Sequence, residues 1–186
     1  GSINLTKYVR DPFAETTTFD FEGFGKTIDI AVRMLDNVLD VTKWPLPQQS
    51  EEAKAKRRVG LGFTGLGDAL IMLRLRYDTV DARAMATKIS EYMRDRAYLA
   101  SVELARERGA FPLFNADLYL SGGNFGSRLP AEVKQRIRAH GLRNSHLTAI
   151  APTGTISLLA NNVSSGLEPV YRFEHTRRVR EADGSF

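Results

Sequence analysis

His146-Leu147-Thr148-Ala149-Ile150-Ala151-Pro152-Thr153-Gly154-Thr155-Ile156-Ser157 reads as a strand, a turn and the start of a helix. His146–Ala151 is a short apolar run of strand length, expected to be buried, and Pro152 closes it because proline has no N–H to continue a ladder. Thr153-Gly154-Thr155 turns the chain, and Ile156–Ala160 begins a helix. A strand feeding a helix through such a turn leaves backbone N–H groups without intrahelical partners. Together with the helix dipole they suit a cluster of anionic oxygens. Gly154 is expected to let the backbone curl tightly, and Thr153, Thr155 and Ser157 offer hydroxyl donors. No lysine follows the glycine, so this is not a Walker loop. Two readings stay open on the residues alone: a phosphate grip, or ordinary helix capping.

Upstream, most of the chain is helical by pattern. Phe24, Ile28, Ala31, Leu35 and Val38 recur at steps of four and three and form one apolar stripe, which Trp44-Pro45-Leu46-Pro47 ends. Asp81–Arg108 is the longest predicted helix, with Ile89, Met93, Ala97, Ala100 and Leu104 on one face, Asp81 as cap and Gly109 as stop. Pro130 is expected in the first position of a helix running to about His140, with Gly141 ending it. Ile3, Leu5 and Tyr8-Val9 read as a strand end and a turn. The fold class is therefore α/β with more helix than strand, and one domain.

Between the first two helices lies Val59-Gly60-Leu61-Gly62-Phe63-Thr64-Gly65-Leu66-Gly67-Asp68-Ala69-Leu70. Its Gly-x-Gly-x-x-Gly string imitates a dinucleotide fingerprint. However, the charged run Glu51–Arg58 precedes it where a strand is required, and Asp81, the acidic residue at the right distance, begins a helix. The glycines are read instead as close packing around a helix start, with Thr64 as cap.

Composition excludes several classes. The chain has 186 residues, 42% of them hydrophobic, enough for one real core. It contains no cysteine, so it has no disulfide, thiolate metal site or thiol chemistry of its own. A net charge of +4 is too small to argue for a nucleic-acid surface. The densest basic groups, Lys54–Arg58 and Arg177–Arg180, read as solvated surface. There is no apolar run of membrane-spanning length and no leader pattern, so neither membrane nor nucleic acid is expected as a partner, and a cytoplasmic setting agrees.

His140, His146 and His175 lack zinc spacing, and no metal site is expected. His146 reads as a hydrogen-bonded structural histidine. Ser145 and His146 are not read as nucleophile and base, because neighbours on a strand point to opposite faces. Glu168, between a flexible turn and Pro169, is expected to cap or to form a salt bridge.

The residues around the turn carry a resemblance. Gly141-Leu142-Arg143-Asn144-Ser145-His146 through Ser157, then Asn162 and Gly166-Leu167-Glu168-Pro169, resembles the catalytic chain of ribonucleotide reductases. The Thr-Gly-Thr-Ile-Ser version is most similar to the adenosylcobalamin-dependent, class II enzymes; class I large subunits carry a more serine-rich loop. Gly1–Leu5 resembles the segment after the family's finger loop, and Val59–Leu70 another family block, in the family's order.

The resemblance implies part of the second half of a ten-stranded α/β barrel, residues 1–186 being a segment of the catalytic barrel domain. It implies reduction of the ribose 2′-hydroxyl by thiyl-radical chemistry started from adenosylcobalamin. Thr153, Gly154, Thr155, Ile156 and Ser157 would bind the phosphates of a ribonucleoside diphosphate or triphosphate. A thioredoxin-like reductant and a homodimer are the implied partners. The family's Asn-x-Cys-x-Glu motif is expected shortly before Gly1 and the redox cysteines elsewhere, this chain reading as a truncated segment, a crystallised fragment or a segment bounded by inteins. With no cysteine, no catalytic residue is assigned in this chain, and the isolated chain is expected to be inactive. The alternatives are a class I large subunit, or a non-catalytic nucleotide-binding or scaffold protein that keeps the half-barrel.

Overall fold

The computed structural model describes residues 1–172, 174, 176 and 184. His175 and the basic run at 177–180 lie outside the described residues. The chain opens with β1 (Ser2–Asn4), a 3-10 turn over Leu5–Tyr8 capped by Asn4, and β2 (Val9–Arg10), which pairs antiparallel with β3 (Thr18–Phe19). Then come α1 (Phe21–Val41), α2 (Pro47–Lys56), β4 (Gly62–Thr64), α3 (Leu66–Met72), α4 (Val80–Arg108), α5 (Ala116–Tyr119), α6 (Ala131–His140) and α7 (Gly154–Leu159).

The organising feature is a parallel sheet with β4 at its centre. On one side β1 pairs with β4 in the register Ser2↔Gly62, Ile3↔Phe63, Asn4↔Thr64. On the other, Leu61 bridges Thr148 in parallel: the Leu61 N–H donates to the Leu147 carbonyl at 2.8 Å, and the Ala149 N–H donates to the Leu61 carbonyl at 3.0 Å. Parallel neighbours need long crossovers, and the helices supply them. α1 and α2 link β1 to β4; α3 to α6 link β4 to the 146–149 segment.

Helix α1 packs on α4, and α4 on α6. Phe24, Ile28 and Val32 of α1 meet Ile89, Met93, Ala97 and Leu104 of α4, while Ile3, Leu5, Leu61, Phe63 and Leu147 close the core from the sheet side. Each of these side chains larger than alanine contributes about 1.5–3 kcal/mol on burial. Phe19, Phe21, Phe24 and Tyr92 add an aromatic cluster of tilted, edge-on and stacked pairs. The expected stripe on α1 is correct except at its end, since Val38 is 47% exposed.

Glycine makes the sheet possible at Gly62, where a Cβ would collide with the carbonyl oxygen of Ala149, so the 146–149 segment approaches β4 closely only because no side chain stands there. The close-packing reading of the glycine string is therefore the right one, with two corrections. A strand does lie inside the string, at β4. Thr64 belongs to that strand, and the residue before α3 is Gly65, at φ +77°, a left-handed conformation that a β-branched cap would resist.

Three smaller boundaries also move. Thr79 rather than Asp81 caps α4, its hydroxyl accepting from the Ala82 N–H at 3.3 Å. Pro130 stands one residue before α6. The run Glu51–Arg58, a charged lead-in by sequence, is mostly helix α2, started by Pro47.

One polar cluster ties the helix ends together. Asp36 of α1 is fully buried and accepts from Arg57 Nε at 2.9 Å, Asn144 Nδ2 at 2.9 Å, and more distantly from Arg108 and Arg143, each at 3.3 Å. Asn144 also exchanges two hydrogen bonds with Ser101, both at 3.0 Å. Residues 143–144, the approach to the 146–149 segment, are thus clamped to α1, α4 and the end of α2.

Candidate nucleotide-phosphate site

The 146–149 segment carries the chain to the C-terminal end of the sheet, where Pro152 and Thr153 start α7. The expected buried strand is only half realised: Leu147 is buried, but His146 and Ile150 are exposed, because the segment pairs with β4 along one edge only.

The turn differs from its sequence reading in which residue bends it. Thr153, not Gly154, is left-handed, at φ 57° and ψ 23°. For a β-branched residue this conformation is strained, by an order of 1–3 kcal/mol, and persists only where its surroundings hold it. Here they do. The Gly166 N–H donates to Thr153 Oγ1 at 2.8 Å, Thr153 Oγ1 donates to Thr64 Oγ1 at 3.0 Å, and Thr64 Oγ1 donates to the Ser164 carbonyl at 2.8 Å. Ser164 is itself fixed at the start of α3: its carbonyl accepts the Gly65 N–H at 2.7 Å, and its own N–H donates to Asp68 Oδ2 at 2.7 Å.

Of the five residues singled out in the turn, the structure brings all into one short element but gives them different surroundings. Thr153 and Ser157 are buried, and their hydroxyls face inward; Ser157 Oγ donates to the Gly154 carbonyl at 2.9 Å and meets Ser165 Oγ at 3.2 Å. Gly154, Thr155 and Ile156 are exposed. Because α7 begins at Gly154, the N–H groups of residues 154–156 precede the first intrahelical bond, which Ser157 makes to the Thr153 carbonyl at 2.7 Å. A Cβ on Gly154 would meet nothing within 4 Å, so this glycine leaves open space beside the turn rather than enabling its bend.

That space is a cleft of about 730 Å³ lined by Gly154, Thr155 and Ser157 together with Asp68, Glu168 and Arg172 among others. Its charges are mixed. Asp68 is engaged by the Ser164 N–H, while the Arg172 guanidinium stands near the Tyr171 ring at 5.5 Å. Glu168 is exposed at the cleft, and among the described residues it makes neither the salt bridge nor the cap expected of it. The arrangement can offer backbone donors, one exposed threonine hydroxyl and one arginine to an anion.

Ser145 and His146 overturn the expectation that they point apart: Ser145 Oγ and His146 Nδ1 lie 3.1 Å apart. Ser145 precedes the paired stretch, and its N–H donates instead to the Lys56 carbonyl at 3.1 Å, so strand alternation does not apply there. Partial desolvation of the ring, then the charges of Arg58 and Lys56, hold the His146 imidazole below its ordinary value. Among the described residues no three His, Cys, Asp or Glu side chains converge as a metal site would need. Sequence reading took Thr64 only as a helix cap and missed Ser164 and Asn4, whose side-chain amide donates to the Ala160 carbonyl at 3.3 Å. Their only signal was adjacency to a strand end or a turn.

The whole chain, residues 1–186, matches the family model described as ribonucleotide reductase, barrel domain. It is 35% identical over 179 residues to the vitamin B12-dependent ribonucleoside-diphosphate reductase of Mycobacterium tuberculosis, covering 96% of this chain and 22% of that protein. The protein of the same name from Thermoplasma acidophilum is 37% identical over 179 residues, covering 96% of this chain and 21% of the relative. The ribonucleoside-diphosphate reductase subunit alpha of Chlamydia muridarum is 34% identical over 193 residues, covering 92% of this chain and 18% of the relative. The chain thus spans about a fifth of the length of the curated relatives it matches. With its parallel sheet, its crossover helices and the full span of the match, the chain belongs to the ribonucleotide reductase family.

Proposed function

We propose that this chain supplies the substrate-phosphate turn of a vitamin B12-dependent ribonucleoside-diphosphate reductase, within the second half of a ten-stranded α/β barrel. The observation that carries this reading is the position of α7: at the C-terminal end of the parallel sheet, with the N–H groups of residues 154–156 beside a cleft that Gly154 leaves open. Ligands of α/β sheets collect at that end of the strands. The phosphates of a ribonucleoside diphosphate would accept hydrogen bonds from these N–H groups and from the Thr155 hydroxyl, with Arg172 offsetting charge. The names of the relatives favour the diphosphate over the triphosphate.

Holding the 5′ end fixes where the ribose lies, and the chemistry is then done by groups this chain lacks. The 2′-hydroxyl leaves only after a radical forms at the neighbouring 3′-carbon, and a cysteine thiyl is the family's hydrogen abstractor. This chain has no cysteine, so the radical carrier and the reducing thiols belong to other parts of the complete protein, served by a thioredoxin-like reductant. Adenosylcobalamin would supply the initiating radical. A corrinoid with its adenosyl group and nucleotide tail is much larger than the clefts of about 600 and 730 Å³ among the described residues, so these residues alone do not fit it. The isolated 186 residues are expected to reduce no ribonucleotide, in a cytoplasmic enzyme whose complete chain forms a homodimer.

The test is titration of the complete protein with a ribonucleoside diphosphate before and after Gly154→Val. A Cβ at this position meets nothing within 4 Å, so weakened binding supports the reading and unchanged affinity rejects it. A class I large chain is the second reading, favoured by the match to the Chlamydia alpha subunit. Activity of the complete enzyme that does not depend on added cobalamin would select it.

A further inference from the structure

We infer that Thr64 is a positioning residue for the phosphate turn, acting through a buried chain of hydroxyl hydrogen bonds. The inference rests on the phosphate reading of that turn. Thr64 is at the end of β4, 89 residues before Thr153, and has 1% of its surface exposed. The polarity of the chain is forced from both ends. The Gly166 N–H can only donate and the Ser164 carbonyl can only accept, so each of the two hydroxyl protons has one place to go: from Thr153 to Thr64, and from Thr64 to Ser164.

This arrangement leaves Thr153 Oγ1 with a donor on one side and an acceptor on the other, and that pair of contacts opposes its return from the left-handed region. The conformation of Thr153 in turn sets where α7 begins. Without the Thr64 oxygen, the Thr153 hydroxyl loses its buried acceptor, and a threonine at φ 57° loses one of the two contacts that hold it there. Asp68 and Gly65 reinforce the same loop through Ser164 but do not touch Thr153. Thr64 therefore contributes to substrate binding without touching substrate.

The experiment compares Thr64→Val, which keeps the shape and removes the hydroxyl, with Thr64→Ser, which keeps the hydroxyl. The complete protein is titrated with a ribonucleoside diphosphate and, separately, with the parent ribonucleoside. The expected result is a loss of roughly tenfold in diphosphate affinity for Thr64→Val, in the range of one lost hydrogen bond, with nucleoside affinity unchanged and Thr64→Ser close to wild type. If Thr64→Val does not fold, Thr64→Ala takes its place with the same expectation. Equal losses for diphosphate and nucleoside, or a Thr64→Ser as weak as Thr64→Val, would show a merely structural role and overturn the inference. Gly154→Val separates the two levels. If it weakens diphosphate binding while Thr64→Val does not, the positioning role fails and the phosphate reading stands; if it changes nothing, both fail.

Discussion

Arg57 and Asp36 form an ion pair sealed inside the molecule, 2.8 Å between nitrogen and oxygen, with the carboxylate fully buried and the guanidinium side chain 6% exposed. Arg57 reaches it from the end of α2 in a left-handed conformation, φ 46°, and also binds Asp40 at 2.8 Å. Asp36 collects Arg108, Arg143 and Asn144 as well. Two helices, a helix end and the approach to the 153–157 turn thus depend on one carboxylate.

Replacing Asp36 by alanine is expected to cost about 3–5 kcal/mol of stability, because it leaves buried cationic groups without their partner. Denaturant unfolding of Asp36→Ala against wild type measures it. A loss below about 1 kcal/mol, typical of an exposed pair, would show that the cluster is solvated in solution.

Gly62→Ala is expected to destabilise the sheet, since its methyl group would enter the space of the Ala149 carbonyl oxygen. An overpacked site of this kind costs typically 1–3 kcal/mol. Gly154→Ala meets open space, and its melting temperature is expected to stay at or slightly above that of wild type. Equal melting temperatures for Gly62→Ala and wild type would contradict the close approach of residues 146–149 to β4.

His146 gives a pH prediction with a definite sign. Its folded-state pKa is held down by partial desolvation of the ring, then by Arg58 and Lys56, so the unfolded chain takes up the proton first. Its contribution is therefore full above the ordinary imidazole value of about 6.5 and is lost as pH falls from there through the lowered folded value. An NMR titration should find the His146 imidazole titrating below its ordinary value, and moving up in Arg58→Gln. A midpoint at or above the ordinary value would refute the assignment.

The outer edges of β1 and of the 146–149 segment carry no strand among the described residues. Exposed parallel edges invite pairing with other chains. The 186 residues alone are expected to self-associate with rising concentration in size-exclusion chromatography. A single monomer peak throughout would count against it.

The long elements were legible in the sequence because a four-and-three apolar rhythm sustained over several turns has one helical solution: α1 and α4 each contain the whole of their stripe. The short ones were less so. β4 and its partner segment are too brief for a period to show, and their pairing depends on Gly62 being beside Ala149, which are 87 positions apart. α2 was hidden because a charged run has no apolar face.

By itself the sequence determined that His146–Ser157 ends in a turn and a helix start, that its order of motifs resembles a ribonucleotide reductase, and that the chain holds no cysteine to carry a radical. These follow from local chemistry and composition, which need no partner in space. Only the tertiary structure decided that Thr153 rather than Gly154 bends the turn, that Thr153 and Ser157 face inward, and that the Thr153 hydroxyl donates to Thr64 of β4. A strained backbone conformation is permitted by whatever surrounds it, and here those surroundings come from β4 and the 164–166 loop, far from the turn or beyond it in the chain.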